Sequence, residues 1–322
     1  MFELKNFDEW EIDVENKFGS GASEKLWLKN PQTGETGLFK FPKVKSDGNI
    51  TGEYWAEKLA SEIGKLIDVK CADVDIGIYK GRKGSMSYNF VNSKNKRLVE
   101  SLEYIQNAFP YYNKKKLITN DTEEKYSIQM ITKAMGEYLN FPQIFEMIIF
   151  DCLIGNTDRH HSNWGYLFEF FEEKSTKSDG FLITPTDYHL APLYDNGSSL
   201  CSRIDNKDTD LIIKDKMRFE ALVAGQSKSC IGWKNTRPIK HLDLLKYSKE
   251  YKKSNKEIYE KIINKIKMIE ANITENSIAE IISKFDDETI SPNLKKLITL
   301  FLLEKRKRMI EIVRESEEKG NE

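Results

Sequence analysis

Alternating apolar and polar positions dominate the first part of the chain. The segments LWLKN (26–30) and LFKFP (38–42) alternate in this way, and the turn-forming cluster PQTGETG separates them. This pattern predicts a β-hairpin. A loop followed by a helix is predicted in KSDGNITGEYWAEKLASEIGKLI, because apolar residues recur there at helical spacing, namely Trp55, Leu59, Ile63 and Leu66. DVDIGIYKG and SMSYNFV predict two further strands, so we expect a small sheet with one helix.

Helical periodicity takes over from about residue 97. RLVESLEYIQNAF is amphipathic, whereas FPQIFEMIIFDCLIG is apolar on nearly every face and predicts a buried helix that ends at Gly155. The runs WGYLFEFF and GFLITPTDYHLAPLY predict strands around the turn EEKSTKSDG, and helical patterns return from about residue 241. The patterns predict an α+β chain with a small β-rich N-terminal lobe, residues 1–92, and a larger, mainly helical C-terminal lobe, residues 93–322.

Composition narrows the class of protein. With 322 residues, 39% hydrophobic and 31% charged, the chain suits a soluble globular protein with one large domain or two lobes. The net charge of −1 gives no domain-wide basic surface, so we expect no direct binding of nucleic acid. Two basic runs, KKK at 114–116 and KRKR at 305–308, are interpreted as solvated helix faces.

The cysteines and the N-terminal segment bear on the cellular compartment. The four cysteines are widely spaced and form no CxxC pair, which argues against a disulfide framework or a zinc knuckle. The N-terminal segment is acidic and lacks the apolar stretch of a secretory signal, and no apolar run reaches spanning length. We therefore expect a cytoplasmic protein without a membrane partner, with secretion by a signal-less route as the alternative.

The segment GNTDRHHSNWGYLFEF, which begins at Gly155, concentrates polar residues between an apolar run and a strand-like run. It is a metal site on His160 and His161, a structural loop, or a catalytic loop on Asp158 and Asn163. Adjacent loop histidines point in different directions and the chain has only four histidines, which disfavours the metal site. The D-x-x-x-x-N spacing matches the kinase catalytic loop, in which a carboxylate accepts the hydroxyl proton and an amide oxygen holds Mg²⁺.

Further candidate residues fall where phosphoryl transfer needs them. The predicted hairpin returns the chain to APLYDNGSSL, where Asp195 is expected beside Asn163 as a second magnesium ligand. Lys40, in the middle of LFKFP, is either a solvated lysine or the lysine that pairs with phosphate. Glu53 is expected to hold Lys40 by a salt bridge, with Glu57 as the alternative. Upstream, the Gly-Ser-Gly-Ala turn in KFGSGASEKLWL can present backbone N–H groups to phosphate, although it is neither a Walker A loop nor a full GxGxxG.

Five segments, in order between about residues 15 and 245, resemble the HipA-type kinases of bacterial toxin–antitoxin systems: FGSGASEK, FKFP, GEYWAEKLASEIG, FDCLIGNTDRHHSNWGYLF and YHLAPLYD. The resemblance implies a two-lobed protein-kinase-like fold. It makes Asp158 the catalytic base and Asn163 and Asp195 the ligands of Mg²⁺. The nucleotide-binding residues that it implies are Lys40, Gly19, Ser20, Gly21, Ala22 and Glu53, with backbone groups of Tyr88, Asn89 and Phe90 at the hinge. It also implies autophosphorylation of Ser20 or Ser23, which places negative charge where ATP phosphates bind and silences the enzyme.

The resemblance further implies an ATP- and Mg²⁺-dependent protein serine/threonine kinase whose substrate is a protein such as a translation factor. The phosphate loop begins near residue 18, so we expect a short or stand-alone form, with an antitoxin partner as one alternative. Two other functions stay open: a lipid or small-molecule kinase of the phosphoinositide 3/4-kinase-like fold, which the DRHxxN form also resembles, and a non-catalytic binding module. Trp233, Lys234 and Arg237 either contact the substrate or are a core tryptophan and two solvated cations.

Overall fold

A six-stranded mixed sheet forms the N-terminal lobe. The computed structural model describes residues 1–14, 24–91, 93, 95–136, 141–174 and 181–318. The strands of this sheet are β1 (Lys5–Asn6), β2 (Glu11–Ile12), β3 (Lys25–Lys29), β4 (Thr36–Lys40), β5 (Val74–Tyr79) and β6 (Arg82–Tyr88). They lie in the order β1-β5-β6-β4-β3-β2, with β1 parallel to β5 and the other neighbours antiparallel. The hairpin predicted from the alternating pattern is β3–β4.

Alternation along β4 separates the core of the lobe from the cleft. Phe39 is fully buried and its ring packs against those of Phe7 and Phe41. Because successive side chains of a strand point to opposite faces, Lys40 lies on the other face of the sheet. This is the face that α1 (Glu53–Leu66) covers. The sheet therefore directs a lysine between itself and a helix.

Helix α1 is attached to the C-terminal lobe at both ends. Before its first residue, the N–H of Gly52 donates to the carbonyl of Ser202 at 2.7 Å. Beyond its last turn, the ammonium of Lys265 donates to two successive backbone carbonyls at 3.0 Å each. Asn272 donates to a third carbonyl at 2.8 Å. These contacts satisfy carbonyl groups at the helix end that have no partner within the helix, and they tie α1 to the other lobe.

Three short sheets belong to the C-terminal part of the chain. The strands of these sheets are β7 (Lys96–Glu100), β8 (Tyr112–Asn113), β9 (Ile118–Thr119), β10 (Gly165–Lys174), β11 (Phe181–Leu190), β12 (Lys228–Ser229) and β13 (Ile239–Lys240). The largest sheet has the order β11-β10-β7, while β8 pairs with β9 and β12 with β13. The β10–β11 hairpin is the one predicted from the sequence, and it returns the chain to the segment that carries Asp195.

The helices of the C-terminal lobe among the described residues surround one buried helix. They are α2 (Ser101–Ala108), α3 (Ile128–Met135), α4 (Phe141–Ile154), α5 (Asn206–Lys214), α6 (Lys216–Glu220), α7 (His241–Ser248), α8 (Tyr251–Ser254), α9 (Lys256–Asn272), α10 (Glu275–Ile282) and α11 (Pro292–Glu318), with a π-helical turn at Ala221–Gly225. As predicted, α4 is buried and Gly155 follows its last residue, with a φ of 70°. A Cβ at Gly155 would lie 2.7 Å from Phe301 of α11, so the position needs glycine.

The interpretation of the two basic runs was partly wrong. The run at 114–116 is exposed, but it lies in the turn between β8 and β9 and not on a helix. In the run at 305–308, α11 buries Lys305 completely, whereas Lys307 is 63% exposed. A run of charges does not show which side chain faces the core. No helix of the described ranges combines the length and apolarity needed to cross a bilayer.

Candidate active site

The loop after α4 fixes the backbone of Asp158 from two sides. The side-chain oxygen of Asn156 accepts the N–H of Asp158 at 3.0 Å, and the side-chain amide of Asn163 donates to the carbonyl of Asp158 at 2.8 Å. Asp158 and Asn163 both line a cleft of about 220 Å³ between the lobes. Burial raises the pKa of Asp158; His160 opposes that rise and Asp195 adds to it. A carboxylate with a raised pKa is a stronger base than an exposed one.

The buried side chain of Arg159 connects three segments of the site by hydrogen bonds. Its side chain is 1% exposed and makes five hydrogen bonds of 2.6–2.9 Å. Two go to the carboxylate of Asp151 on α4, and the others go to the carbonyls of Asn163 and Tyr194 and the side chain of Asn196. Arg159 thus ties α4, the loop and the segment around Asp195 together. The signal that sequence reasoning missed is Asp151, a carboxylate within the apolar run near the end of α4.

Lys40 and Asp195 meet across the cleft. The Lys40 ammonium lies 2.9 Å from a carboxylate oxygen of Asp195. Burial alone would lower the pKa of Lys40, but Asp195 and Glu57 outweigh it and raise the pKa. Burial would raise the pKa of Asp195, but Lys40 holds it below its usual value. Both groups are therefore charged, and they line the same cleft as Asn163, beside which the sequence placed Asp195.

The acidic residue of α1 that faces Lys40 is Glu57, not Glu53. Glu57 is 2% exposed and interacts electrostatically with Lys40. Burial raises the pKa of Glu57, while Lys40 acts in the opposite direction. The predicted Glu53–Lys40 salt bridge is replaced by others, because Glu53 lies one turn earlier, at the rim of the cleft. There it pairs with Lys43 at 3.7 Å and with Arg203 at 3.4 Å.

Lys25 is a second lysine beside Lys40 that sequence reasoning did not single out. In the β3–β4 ladder it lies directly opposite Lys40, and such paired residues share a face of the sheet. Burial lowers the pKa of Lys25, Lys40 lowers it further, and Asp195 opposes the shift. The sequence signal that could have identified Lys25 is its position at the start of β3, directly after the predicted phosphate loop. Two lysines from neighbouring strands therefore face the carboxylates of the other lobe.

The predicted hinge residues lie at the end of β6, between the lobes. The N–H of Tyr88 donates to the carbonyl of Asp73, and the N–H of Asn89 donates to the carbonyl of Thr36, both at 2.9 Å. These two N–H groups already serve the sheet, so an adenine base would have to use other backbone groups. The Phe90 ring lies 6.0 Å from that of Tyr194, next to Asp195. The predicted phosphate-loop residues Gly19, Ser20, Gly21, Ala22 and Ser23 lie outside the described residues.

The two adjacent histidines have different surroundings. His161 is buried and its Nδ1 lies 2.9 Å from the hydroxyl of Tyr112, whereas His160 lines the cleft. Within the described ranges, no three His, Cys, Asp or Glu side chains are grouped as ligands of a cation. Mg²⁺ at a phosphate site needs only one or two protein oxygens, because phosphates and waters complete its shell. Asn163 and Asp195 suit that ion, since the amide nitrogen of Asn163 is bonded to the loop and leaves the oxygen for the cleft.

Acidification should destabilise the protein through two buried histidines. Burial lowers the pKa of His161 to about 4, and burial with Lys305 lowers that of His241 to about 3, against 6.5 for an unperturbed histidine. Below pH 6.5 the unfolded chain takes up protons that the folded protein excludes. The free energy of unfolding therefore decreases as the pH is lowered. Each histidine should contribute a loss of about 2 kcal/mol between pH 7.5 and 5. Urea unfolding at both pH values measures this loss.

His161→Gln should remove about 2 kcal/mol of this pH dependence, because glutamine does not titrate. The matched control is His189→Gln, at a partly exposed histidine of β11. Equal pH dependence in both variants would contradict the assignment.

The segment around Trp233 favours the structural alternative for the tryptophan. Trp233 is 5% exposed and stacks on Tyr247, with ring centroids 5.9 Å apart. Lys234 is largely exposed and pairs with Glu250 at 3.6 Å. Arg237 donates to the carbonyl of Cys230 at 2.8 Å. The indole therefore belongs to the core, while Lys234 remains accessible.

The cleft between the lobes can be compared with those of known proteins. The family model of the HipA-like C-terminal domain matches residues 19–273. The chain belongs to this family. The match includes every residue that lines the cleft, and it confirms the resemblance seen in the sequence.

Relatives of known structure show the same fold. The serine/threonine-protein kinase CtkA of Helicobacter pylori (strain J99 / ATCC 700824) is 24% identical over 243 residues, which are 73% of this chain and 68% of that protein. The crystal structure of the H. pylori proinflammatory kinase CtkA superposes with a TM-score of 0.74 at 20% identity, over 96% of each chain. HipA of Shewanella oneidensis MR-1, in a complex with HipB and operator DNA, gives a TM-score of 0.55 at 15% identity, over 94% of this chain and 67% of HipA. The predicted two-lobed kinase fold of this HipA-like chain is confirmed.

Proposed function

We propose that this protein is an ATP- and Mg²⁺-dependent serine/threonine protein kinase. The observation that carries the proposal is the convergence of Lys40, Asp158, Asn163 and Asp195 on one cleft. These residues come from separate segments of the two lobes, and each has the chemistry that phosphoryl transfer requires. Similarity to CtkA, a protein named as a serine/threonine kinase, supports a protein hydroxyl as the acceptor.

The N-lobe residues serve the nucleotide in this mechanism. Lys40 lines the cleft and Lys25 lies opposite it on the neighbouring strand, and both serve to bind phosphate oxygens of ATP by charge. Glu57 lies buried behind Lys40 and keeps the ammonium charged and in place. Asn163 and Asp195 would hold Mg²⁺, which would supply positive charge to neutralise the phosphate oxygens. The residues of the chain thus orient the γ-phosphate toward the loop of the C-terminal lobe.

Asp158 serves the acceptor hydroxyl. Its carboxylate accepts the hydroxyl proton while the hydroxyl oxygen bonds to the γ-phosphorus and the bond to the ADP oxygen breaks. The backbone bonds from Asn156 and Asn163 keep the carboxylate at one position. Arg159 fixes the same loop to α4, so the base is presented by a rigid element. Rigid positioning of this kind contributes directly to the rate.

The biological setting is part of the proposal. HipA-type resemblance supports a cytoplasmic effector that phosphorylates a protein such as a translation factor. The HipA relative is in a complex with the antitoxin HipB and operator DNA, which supports an antitoxin as a candidate partner for this chain. Autophosphorylation of Ser20 or Ser23 would silence the enzyme by placing charge in the phosphate site.

Incubation of the purified protein with ATP and Mg²⁺ tests the proposal by intact mass and phosphosite mapping. We expect the wild type to gain phosphate on Ser20 or Ser23, and Ser20→Ala and Ser23→Ala to identify which serine is modified. Lys40→Met should gain none, because it lacks the ammonium that binds the phosphates. Lys29→Met, at an exposed lysine of β3, is the matched control and should behave like the wild type.

The other outcomes discriminate between functions. ATP hydrolysis without phosphate on any protein would point to a lipid or small-molecule acceptor. A wild type that neither binds ATP nor turns it over would overturn the kinase proposal and leave a binding module as the function.

A further inference from the structure

A chain of buried polar groups runs from α11 to the catalytic loop. The Lys305 ammonium donates to the hydroxyl of Ser227 at 2.7 Å, and this hydroxyl lies 3.0 Å from Nδ1 of His241. Nε2 of His241 lies 2.9 Å from the carbonyl oxygen of Asn156. All four residues are at most 5% exposed. This series of hydrogen bonds ends at Asn156, two residues before Asp158.

The donors and acceptors fix the direction of every bond in this chain. Lys305 only donates, so the Ser227 oxygen accepts its hydrogen and turns its own hydrogen toward Nδ1 of His241. The carbonyl of Asn156 only accepts, so Nε2 of His241 carries the hydrogen. His241 is therefore a neutral Nε2–H tautomer, in agreement with its pKa, which burial and Lys305 lower to about 3. A single arrangement of hydrogens satisfies all of the groups.

Stability alone does not explain this arrangement. Among the described residues, Lys305 has no carboxylate within ion-pair distance, and burial lowers its pKa. Its surroundings on α11 are apolar, with Phe301, Leu302 and Met309 all buried. A buried cation without a carboxylate costs free energy that an apolar side chain of similar size would not. The placement of Lys305 is therefore better explained by what its chain of hydrogen bonds holds.

The chain holds the backbone just before the catalytic carboxylate. Asn156 is completely buried, and its side chain accepts the N–H of Asp158 at 3.0 Å and donates to Asp151 at 3.1 Å. Gly155, in the left-handed region, brings the loop close to α11 and to Ser227: a Cβ there would lie 3.5 Å from the Ser227 oxygen. In this series of hydrogen bonds, α11 and α7 are connected to the loop through the carbonyl of Asn156.

We propose that Lys305, Ser227 and His241 are positioning residues for Asp158, acting through the carbonyl and side chain of Asn156. The proposal rests on the function proposed above for the cleft. These three residues lie in the C-terminal lobe, away from Lys40 and Lys25, so they act on the transfer step and not on ATP binding. The long C-terminal helix thereby helps to position Asp158, although none of its described residues lines the cleft.

Ser227→Ala is the primary test, because it removes one oxygen from the middle of the chain. Its matched control is Ser248→Ala, a serine of α7 that is 2% exposed and whose hydroxyl donates to the carbonyl of Leu245 in the same helix. We expect Ser227→Ala to lower kcat about tenfold to a hundredfold, with an unchanged KM for ATP, and to speed amide hydrogen exchange in residues 155–163. Ser248→Ala should leave kcat and exchange at wild-type values.

A rescue at His241 separates positioning from packing. Glutamine can place an N–H near the position of Nε2, whereas leucine cannot. His241→Gln should therefore keep much of the wild-type kcat, while His241→Leu should match Ser227→Ala. Both are compared well below the melting temperature of each variant, so that all molecules are folded.

The outcomes keep this proposal separate from the proposed function. An active wild type in which Ser227→Ala and His241→Leu match Ser248→Ala in kcat and exchange overturns the positioning role. An inactive wild type overturns the proposed function; faster loop exchange in Ser227→Ala would then still support the role of the chain in holding the loop, and unchanged exchange would overturn that as well.

Discussion

Asp158→Asn is expected to lower kcat by about a hundredfold to ten-thousandfold, the usual contribution of a general base. Asparagine is close to aspartate in size, so the backbone bonds to Asn156 and Asn163 can persist. The amide cannot take up the hydroxyl proton, and the transfer step loses its base. The KM for ATP should stay near the wild-type value, because Lys40 and Lys25 are unchanged. Rates of phosphate transfer and ATP binding, measured on the same preparation, check both statements.

The matched control for this substitution is Asp121→Asn, at an exposed aspartate in the C-terminal lobe. It should have the wild-type kcat. If Asp158→Asn retained more than a tenth of the wild-type rate, Asp158 would not be the base, and the carboxylate of Asp195 would be examined next.

Arg159→Met is expected to lower the free energy of unfolding by about 3–5 kcal/mol, the usual cost of removing one partner from a buried ion pair. The reason is the carboxylate of Asp151, whose side chain is 4% exposed and which would be left buried without its partner. The carbonyls of Asn163 and Tyr194 would also lose a donor. Urea unfolding with matched m-values measures the loss. Arg159→Lys should fall in between, because an ammonium cannot reproduce the five bonds of the guanidinium.

Arg97→Met is the comparison for a solvated ion pair. Arg97 is 63% exposed and pairs with Glu103 at 3.0 Å, and exposed pairs contribute little to stability because water screens them. The variant should unfold close to the wild type. A similar loss in Arg97→Met and Arg159→Met would mean that burial of the pair does not determine its contribution.

Local patterns predicted the elements that carry the site. Alternation in LFKFP placed Phe39 in the core and Lys40 on the opposite face, and the apolar run before Gly155 is the buried helix α4. The D-x-x-x-x-N spacing and the β10–β11 hairpin brought Asp158 and Asp195 to one cleft. These predictions succeeded because each depends on a period of two or 3.6 residues, or on a short turn, which neighbouring residues determine.

The choices that failed depend on packing between distant segments. Glu53 and Glu57 lie one turn apart on α1, and the rotation of the helix against the sheet decides which of them faces Lys40. The sequence does not contain that angle explicitly. The same holds for Lys305, which looked like part of a solvated run, and for Arg159, whose partners lie on three segments. Only the assembled lobes show which polar groups are enclosed.

The attachment of α1 at both ends has a consequence for inhibitors. One class of cleft ligand would need α1 to swing outward and would fill the space that the helix leaves. Here Lys265 and Asn272 hold one end of α1, and the carbonyl of Ser202 holds the other. An outward swing would strip a buried ammonium of its two carbonyls. Compounds of that type should therefore bind this protein poorly, and selective ligands are better sought among molecules that contact Lys25 and the rim formed by Lys43 and Arg203.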